Sequence, residues 1–144
     1  MLTGWMFSKL KKMADSRPPD FVMGHNYCNR WWVIPRNKIL NVYLHQFLSS
    51  DARVMHDHPW WNVSIVLKGS YEDQTVNKKV LCQQGTIKFR NASKPHRLEL
   101  KSKECWSLFI TGPVIREWGL HCPKGWVSWR KLADKDGHVI HKCD

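Results

Sequence analysis

The stretch MHDHPWWNVSIVLKG, residues 55–69, contains two histidines one residue apart, followed by an apolar run that ends in glycine. Alternate side chains of a β-strand project from the same face, so His56 and His58 would point in the same direction. Two imidazoles in this arrangement suit a metal site, but two histidines before a proline can also form ordinary hydrogen bonds near a turn. A third ligand elsewhere in the chain would decide between these interpretations.

The rest of the chain predicts an all-β domain. Short apolar or alternating segments are separated by turn residues at near-regular spacing, with no alternation of strands and helices. This pattern favours a small barrel or sandwich. The strand candidates are residues 39–48, 62–69, 80–82, 86–90, 96–100, 105–110 and 126–132.

The first 20 residues, 1–20, predict a short helix and a linker. Leucine and methionine side chains recur at helical spacing between residues 2 and 13, and the SRPPD stretch at 16–20 ends the helix. We expect this helix to pack across the outside of the domain, with docking to a membrane surface or a partner as the alternative. The β-domain would then occupy residues 21–132.

The last segment, residues 133–144, is polar and contains an Asp136-Gly137 turn. These features favour a hairpin or a loose tail. The segment includes histidines and a cysteine, but their spacing matches no standard zinc finger.

Composition narrows the function classes. The net charge of +11 favours anionic partners, but the lysines and arginines are scattered, so nucleic acid is not indicated beyond the charge itself. No stretch approaches the ~18 apolar residues of a membrane span. The five cysteines are odd in number and widely spaced, which argues against a disulfide framework and for a reducing compartment. We therefore expect a cytoplasmic protein.

Downstream of the two histidines, the spacing of polar residues and glycines continues in a definite order. Three residues separate His58 from Asn62, and six more lead to the glycine that ends the apolar run. In a second segment, five residues separate Gly85 from the NAS stretch at 91–93, and two more lead to His96.

This order resembles the two sequence motifs of the cupin family, which read HxH, three or four residues, Glu, six residues, Gly, and then Gly, five residues, PxG, two residues, His. The resemblance covers residues 56–96, and similar segments of small uncharacterised cupin proteins of bacteria and their phages extend over most of the chain. It implies a double-stranded β-helix, or jelly-roll barrel, with a short N-terminal helix. It also implies that His56, His58 and His96 hold a metal ion inside the barrel.

Two departures from the family pattern bear on the metal. Asn62 stands where the family has its glutamate ligand, and NAS replaces PxG. The resemblance then implies a three-histidine centre, similar to that of the thiol dioxygenases of the family, with open positions for water and substrate. Imidazole does not select one divalent metal, so Fe(II) comes first from the resemblance, with Zn(II), Ni(II) or Mn(II) as alternatives. Because the three ligands are neutral, the site favours an anionic small-molecule substrate.

Several side chains are candidates for the surroundings of the metal. His45 is a candidate acid or base, or equally a structural histidine, and Asn62 joins it as a candidate catalytic residue. Trp60 is expected to form an apolar wall for the substrate. Lys88 and Arg90 share one face of their strand, either as interior cations for a carboxylate or phosphate or on a solvated outer face. Arg30, Arg97 and Arg116 are weaker candidates of the same kind.

The resemblance implies a metal-dependent enzyme, with an Fe(II)/O₂ dioxygenase as the first hypothesis. A metal-dependent hydrolase or isomerase is the enzymatic alternative. A non-catalytic module that binds a metabolite or nucleotide inside the barrel is the alternative from another class. Cupins often pair through β-strands, so a homodimer is also expected.

Overall fold

Twelve short strands between Phe21 and Ser128 form the body of the structure, a computed structural model that describes residues 2–143. One helix, α1 (Leu2–Ser16), precedes the strands, and a single helical turn, α2 (Trp129–Leu132), follows them. The strands are β1 (Phe21–Met23), β2 (Cys28–Trp32), β3 (Asn41–Phe47), β4 (Met55–His56), β5 (Asn62–Lys68), β6 (Ser70–Gln74), β7 (Lys79–Gln83), β8 (Ile87–Arg90), β9 (Arg97–Leu100), β10 (Cys105–Thr111), β11 (Gly119–Cys122) and β12 (Gly125–Ser128).

The strands form two layers, and the three histidines of the predicted metal site lie between them. One layer is a six-stranded antiparallel sheet in the order β1-β2-β3-β10-β5-β8. The other consists of two three-stranded sheets, β12-β11-β4 and β7-β6-β9. An isolated antiparallel bridge between His56 and His96 joins these two smaller sheets. The predicted all-β double-stranded β-helix with an N-terminal helix is therefore confirmed.

Helix α1 covers the outer face of the six-stranded sheet. Its Ala14 packs in one cluster with Leu44 and Leu67, whose side chains are almost completely buried. Burial of an aliphatic side chain of this size stabilises the fold by about 1.5–3 kcal/mol. The predicted packing of the helix on the outside of the domain is confirmed, and the helix extends to Ser16, just before the two prolines.

The inner faces of the sheets form a second apolar cluster, which includes Phe47 from β3 and Tyr71 from β6. This cluster closes one end of the space between the layers and leaves a cavity at the other. No helix among residues 2–143 combines the length and the hydropathy needed to cross a membrane.

The predicted strand at 126–132 is wrong in its second half. The chain leaves the sheet after Ser128, whose side-chain oxygen accepts a hydrogen bond of 3.2 Å from the amide of Arg130 and caps the short helix α2. Strand β6, with the sequence SYEDQ, was not predicted from the sequence. Its inward side includes the buried carboxylate of Asp73, so it lacks the alternation of apolar and polar residues.

The cysteine spacing argued against a disulfide framework, and for one pair this prediction is wrong. Cys122, at the end of β11, forms a disulfide with Cys143 in the C-terminal segment. The cysteines at positions 28, 82 and 105 are free and buried in the core. The C-terminal segment forms the predicted turn, with Gly137 at a φ of 84° and an antiparallel bridge between Ala133 and Val139.

Candidate metal centre

Three imidazoles from separate parts of the chain converge on one point. Each of His56, His58 and His96 offers a ring nitrogen, and these three atoms lie within 4.8 Å of one another. The ring centroids are 5.0 Å apart for His56 and His58, 4.9 Å for His56 and His96, and 5.1 Å for His58 and His96. This spacing allows all three rings to reach one metal ion at Zn–N or Fe–N bond lengths of about 2 Å.

Backbone pairing fixes this convergence. His56 and His96 exchange two main-chain hydrogen bonds of 3.0 Å, one in each direction, across the bridge that joins the smaller sheets. The amide of His58 donates a further hydrogen bond of 3.0 Å to the carbonyl oxygen of Ala92. The two sequence motifs are thus joined through the backbone of the candidate ligands themselves.

Asp57, between the first two histidines, anchors this loop to strands β11 and β12. Its buried carboxylate accepts hydrogen bonds from the amide of Gly119 at 2.8 Å and from the indole of Trp126 at 2.9 Å. Arg116 forms an ion pair with the carboxylate at 2.9 Å, and Nε2 of His121 lies 2.7 Å from its Oδ2. Burial raises the pKa of Asp57, but the hydrogen bonds from Arg116 and the other donors outweigh it, so the net pKa is lowered.

His96 is oriented by a buried carboxylate. Its Nδ1 lies 2.8 Å from Oδ1 of Asp73, which leaves the buried Nε2 with no hydrogen-bond partner among residues 2–143. Burial raises the pKa of Asp73, but its contacts with His96 and then Arg90 outweigh this effect and lower the pKa to about 2. The ionised carboxylate accepts a hydrogen bond from Nδ1–H of His96. The lone pair of Nε2 therefore points into the site, as a metal-binding histidine requires.

The other two rings are held in the uncharged form that binds metals. Burial lowers the pKa of His56 to about 4, despite the opposing effect of Asp51, whose Oδ2 lies 3.9 Å from Nδ1 of His56. Burial, followed by the charges of His56 and His96, holds the pKa of His58 well below its usual range. Metal binding therefore does not require removal of a proton from either ring at neutral pH.

A cavity of about 620 Å³ opens in front of the three imidazoles, between the two layers. Aromatic side chains form much of its wall. Trp60 stacks on His58 with ring centroids 5.4 Å apart and meets Phe109 edge-on at 5.6 Å. Trp61 instead packs against Phe89 on the outer face of the sheet, at 6.3 Å. The cavity is large enough for a small organic molecule.

His45 lines the same cavity from the six-stranded sheet. Its Nε2 accepts a hydrogen bond of 2.8 Å from Nε of Arg30, the residue opposite it in strand β2. Burial, and then the charge of Arg30, holds the pKa of His45 well below its usual range. The uncharged ring therefore carries its proton on Nδ1, which is buried and has no partner among the described residues.

Lys88 and Arg90 face the interior, because their neighbours on the same strand, Ile87 and Phe89, are 66% and 62% exposed. The alternative of a solvated outer face is therefore wrong. Both cations pair with Asp73: the guanidinium of Arg90 donates to Oδ2, and Nζ of Lys88 lies 3.6 Å from the same atom. They neutralise the carboxylate that orients His96, and only Arg90 of the two lines the cavity.

Asn62 is buried in β5, opposite Arg90 on one side and Thr111 on the other. Its Nδ2 has no hydrogen-bond partner in the described part of the chain, and Asn62 is not among the residues that line the cavity. The position that holds a carboxylate ligand in the family motif therefore supplies an amide that lies deeper in the sheet.

Sequence reasoning missed Asp73 and gave Arg30 little weight. Asp73 lies in a polar strand without an apolar pattern, far from the histidine motifs. Arg30 lies next to His45 and forms no ion pair with a carboxylate of residues 2–143. Only the fold shows this position of Arg30. Neither role has a local sequence signal.

Comparisons with known proteins support the fold. The structure superposes on KdgF from a Halomonas species with a TM-score of 0.58 and 15% identity, covering 70% of this chain and 92% of that one. A cupin-2 domain protein from Shewanella frigidimarina gives a TM-score of 0.55 and 15% identity over 74% and 91% of the two chains. DMSP lyase DddQ from Ruegeria pomeroyi gives 0.57 and 16%, covering 69% of this chain and 54% of the lyase.

This chain thus spans about half the length of the lyase. No protein-family model matches the sequence, and no curated protein does either. The structural neighbours are cupin-domain proteins, and the two motifs of this chain meet where their histidines can hold one metal ion. The chain has the double-stranded β-helix fold of the cupin superfamily.

Proposed function

We propose that this protein is a metal-dependent enzyme that acts on a small organic anion inside the barrel, with oxidation by O₂ at iron(II) as its reaction. The observation that carries the proposal is the convergence of His56, His58 and His96 at the wall of a 620 Å³ cavity. A bound divalent iron would supply the redox chemistry. Since no carboxylate of residues 2–143 joins the three histidine ligands, the charge of the iron would favour binding of an anion.

The residues of this chain have separable roles in the proposal. The three histidines hold the metal, and Asp73 fixes the ring of His96 so that Nε2 faces it. The aromatic rings of Trp60 and Phe109 exclude water from the space beside His58. These side chains shape the cavity around the substrate before any chemistry takes place.

Arg30 supports an anionic substrate. Two carboxylates near the site have cationic partners, since Asp57 pairs with Arg116 and Asp73 with Arg90. Arg30 lines the cavity, donates to His45 and forms no ion pair with a carboxylate among the described residues. Its remaining guanidinium N–H groups suit a planar carboxylate of the substrate.

A metal-dependent hydrolase or isomerase is the second candidate. The observation in its favour is the Nδ1 proton of His45, which is buried, lacks a partner and belongs to a ring that lines the cavity. Such a group suits donation of a hydrogen bond to a substrate oxygen on which negative charge develops. A putative mannose-6-phosphate isomerase from Ralstonia eutropha, at 16% identity, is among the proteins of similar fold.

The experiment begins with protein purified without a metal-affinity tag and analysed for its elements. Anaerobic loading with iron(II) should give one iron per chain, and a mixture of small carboxylates and organic phosphates should then support O₂ uptake. The His58→Ala variant should retain neither iron nor O₂ uptake. Zinc at one per chain with substrate turnover in the absence of O₂ would favour the hydrolase or isomerase. A folded protein that binds no divalent metal would overturn both.

We also propose, from the sequence, that the protein is a cytoplasmic homodimer. Light scattering after size exclusion measures the oligomer directly, and a mass close to the 17.0 kDa of one chain would contradict a dimer.

A further inference from the structure

The C-terminal segment, residues 133–143, folds back over the cavity. Four of its residues, from Gly137 to Val139 and His141, contribute to the cavity wall. The ring of His141 lies nearly parallel to that of His56, with centroids 6.4 Å apart, and meets Trp118 edge-on at 6.0 Å. The segment, here called the tail, thus places a fourth imidazole beside the candidate metal centre.

The tail is held to itself rather than to the barrel. Its main-chain hydrogen bonds join Asp134 with His138 and Gly137, Ile140 with Leu132, and Lys142 with Ile140, all between residues 132 and 142. The carboxylate of Asp134 accepts two further bonds from amides of the same turn. In the described part of the chain, no hydrogen bond or ion pair joins residues 133–143 to a barrel strand.

A disulfide attaches the tail to the barrel. Cys143, at the end of the tail, is joined to Cys122 at the end of strand β11. Strand β11 pairs directly with β4, where Leu120 lies opposite His56. The anchor of the tail is therefore two residues from the partner of a candidate metal ligand.

We propose that the Cys122–Cys143 disulfide is a redox latch, which holds the tail and His141 over the cavity when oxidised and releases them when reduced. The inference depends on the cavity and the tail and does not require the proposed reaction. Few contacts oppose release, because no hydrogen bond among residues 2–143 joins the tail to a barrel strand, and Ile140 is 53% exposed. The disulfide is thus the main restraint on the closed position.

The redox step is an ordinary exchange with a dithiol. One thiolate of the dithiol attacks a sulfur of the disulfide, and its second thiolate resolves the mixed disulfide. The S–S bond of the protein breaks, each of its two sulfurs gains one electron and one proton, and the dithiol is oxidised to its own disulfide. Cys28, Cys82 and Cys105 are buried in the core and take no part.

The proposed cytoplasmic location favours a redox latch over a permanent brace as the role of this disulfide. Disulfides in reducing compartments are rare and mostly redox-responsive, whereas secreted proteins use them as permanent braces. The tail disulfide closes a segment of 21 residues, far less than the whole barrel. Its loss should therefore open the tail and leave the barrel folded.

The test measures access to the cavity histidines in the metal-free protein, so that it does not depend on metal binding. Diethylpyrocarbonate modifies accessible uncharged imidazoles, and peptide mass spectrometry reports the rate at each one. Reduction with a phosphine should accelerate modification of His56 by on the order of tenfold or more, because release of the tether frees the tail to open. The exposed His25 is the internal reference, and its rate should not change.

The double variant Cys122→Ser/Cys143→Ser should react at the fast rate with and without the phosphine, while Lys142→Ser, with the disulfide intact, should behave as the wild type. Near-ultraviolet circular dichroism should show that the reduced barrel keeps its aromatic packing. The proposal is overturned if His56 reacts equally fast in the oxidised and fully reduced protein. It is also overturned if reduction abolishes the near-ultraviolet signal, because the disulfide would then brace the whole fold.

Discussion

Replacing Asp73 with asparagine should weaken metal binding more than any other change outside the three histidines. The carboxylate of Asp73 is 1% exposed, and it orients His96 through a contact of 2.8 Å between Oδ1 and Nδ1. Asparagine has nearly the same shape but presents either an amide oxygen or an amide nitrogen to the ring. In both orientations the negative charge that fixes the proton on Nδ1 is lost.

Two effects of this substitution have different magnitudes. Loss of a hydrogen-bonded partner behind a metal-binding histidine typically costs about 10–100-fold in metal affinity. The same change leaves the guanidinium of Arg90 buried without its carboxylate, which costs on the order of 3–5 kcal/mol of unfolding free energy. The double variant Asp73→Asn/Arg90→Met removes Arg90, the more buried of the two cations that pair with Asp73. It should recover part of the stability but none of the metal affinity.

The assay is a competition titration of zinc against a chromogenic chelator, with chemical denaturation on the same samples. Glu72→Gln is the matched control, because it makes the same chemical change one residue away, on the opposite face of β6, where the side chain contacts Gln74. The control should keep wild-type affinity. If Asp73→Asn binds zinc as tightly as the wild type while remaining folded, the carboxylate does not orient the ligand and the account of His96 is wrong.

Three further predictions concern stability and reactivity. Gly69→Ala should destabilise the protein by about 2 kcal/mol or more, because φ is 82° and a Cβ would lie 2.2 Å from the carbonyl oxygen of Glu104. Gly4→Ala, in helix α1, should instead stabilise the protein by up to about 1 kcal/mol, because open space surrounds the new Cβ. Urea denaturation measures both variants, and equal changes in unfolding free energy would contradict the predicted difference between the two glycines. In the metal-free protein, the folded pKa of His56 is about 4 against 6.5 when unfolded, so the unfolded chain binds the proton first as the pH falls. The free energy of unfolding should therefore decrease by roughly 3 kcal/mol from this residue between pH 7 and pH 4, and denaturation curves that are flat over this range would refute the shift. Iodoacetamide at pH 8 should label no cysteine of the native oxidised protein and should label Cys122 and Cys143 after mild reduction. The three core thiols should not react because they are buried, and burial raises the pKa of Cys105 to about 12. Labelling of Cys28, Cys82 or Cys105 under native conditions would show that the core opens.

The fold and the three histidines could be predicted from the sequence because their signals are local or regularly spaced. His56 and His58 lie one residue apart, and the resemblance to the second cupin motif, which begins at the glycine at 85, implied His96 as the third ligand. The alternation of side chains along a strand also predicted that Lys88 and Arg90 share one face of β8. It could not show that both pair with a carboxylate, because that depends on which strand lies across the barrel.

The surroundings of the metal site depend on long-range contacts that leave no such signal. Asp73 lies in a strand whose buried residues are polar, so its burial contradicts the usual pattern. Arg30 and His45 meet across a strand pair with 15 residues between them in sequence. His141 lies beside His56 in a segment that a disulfide joins to β11, and cysteine spacing alone argued against that bond.

The central claim is that His56, His58 and His96 form one metal site, and cobalt(II) titration of the metal-free protein tests it most directly. Visible absorbance should saturate at one cobalt per chain, and His58→Ala and His96→Ala should each abolish the saturable signal in a folded protein. His25→Ala, on an exposed turn, should bind as the wild type does. Absence of saturable binding, or undiminished binding by His58→Ala, would contradict the account.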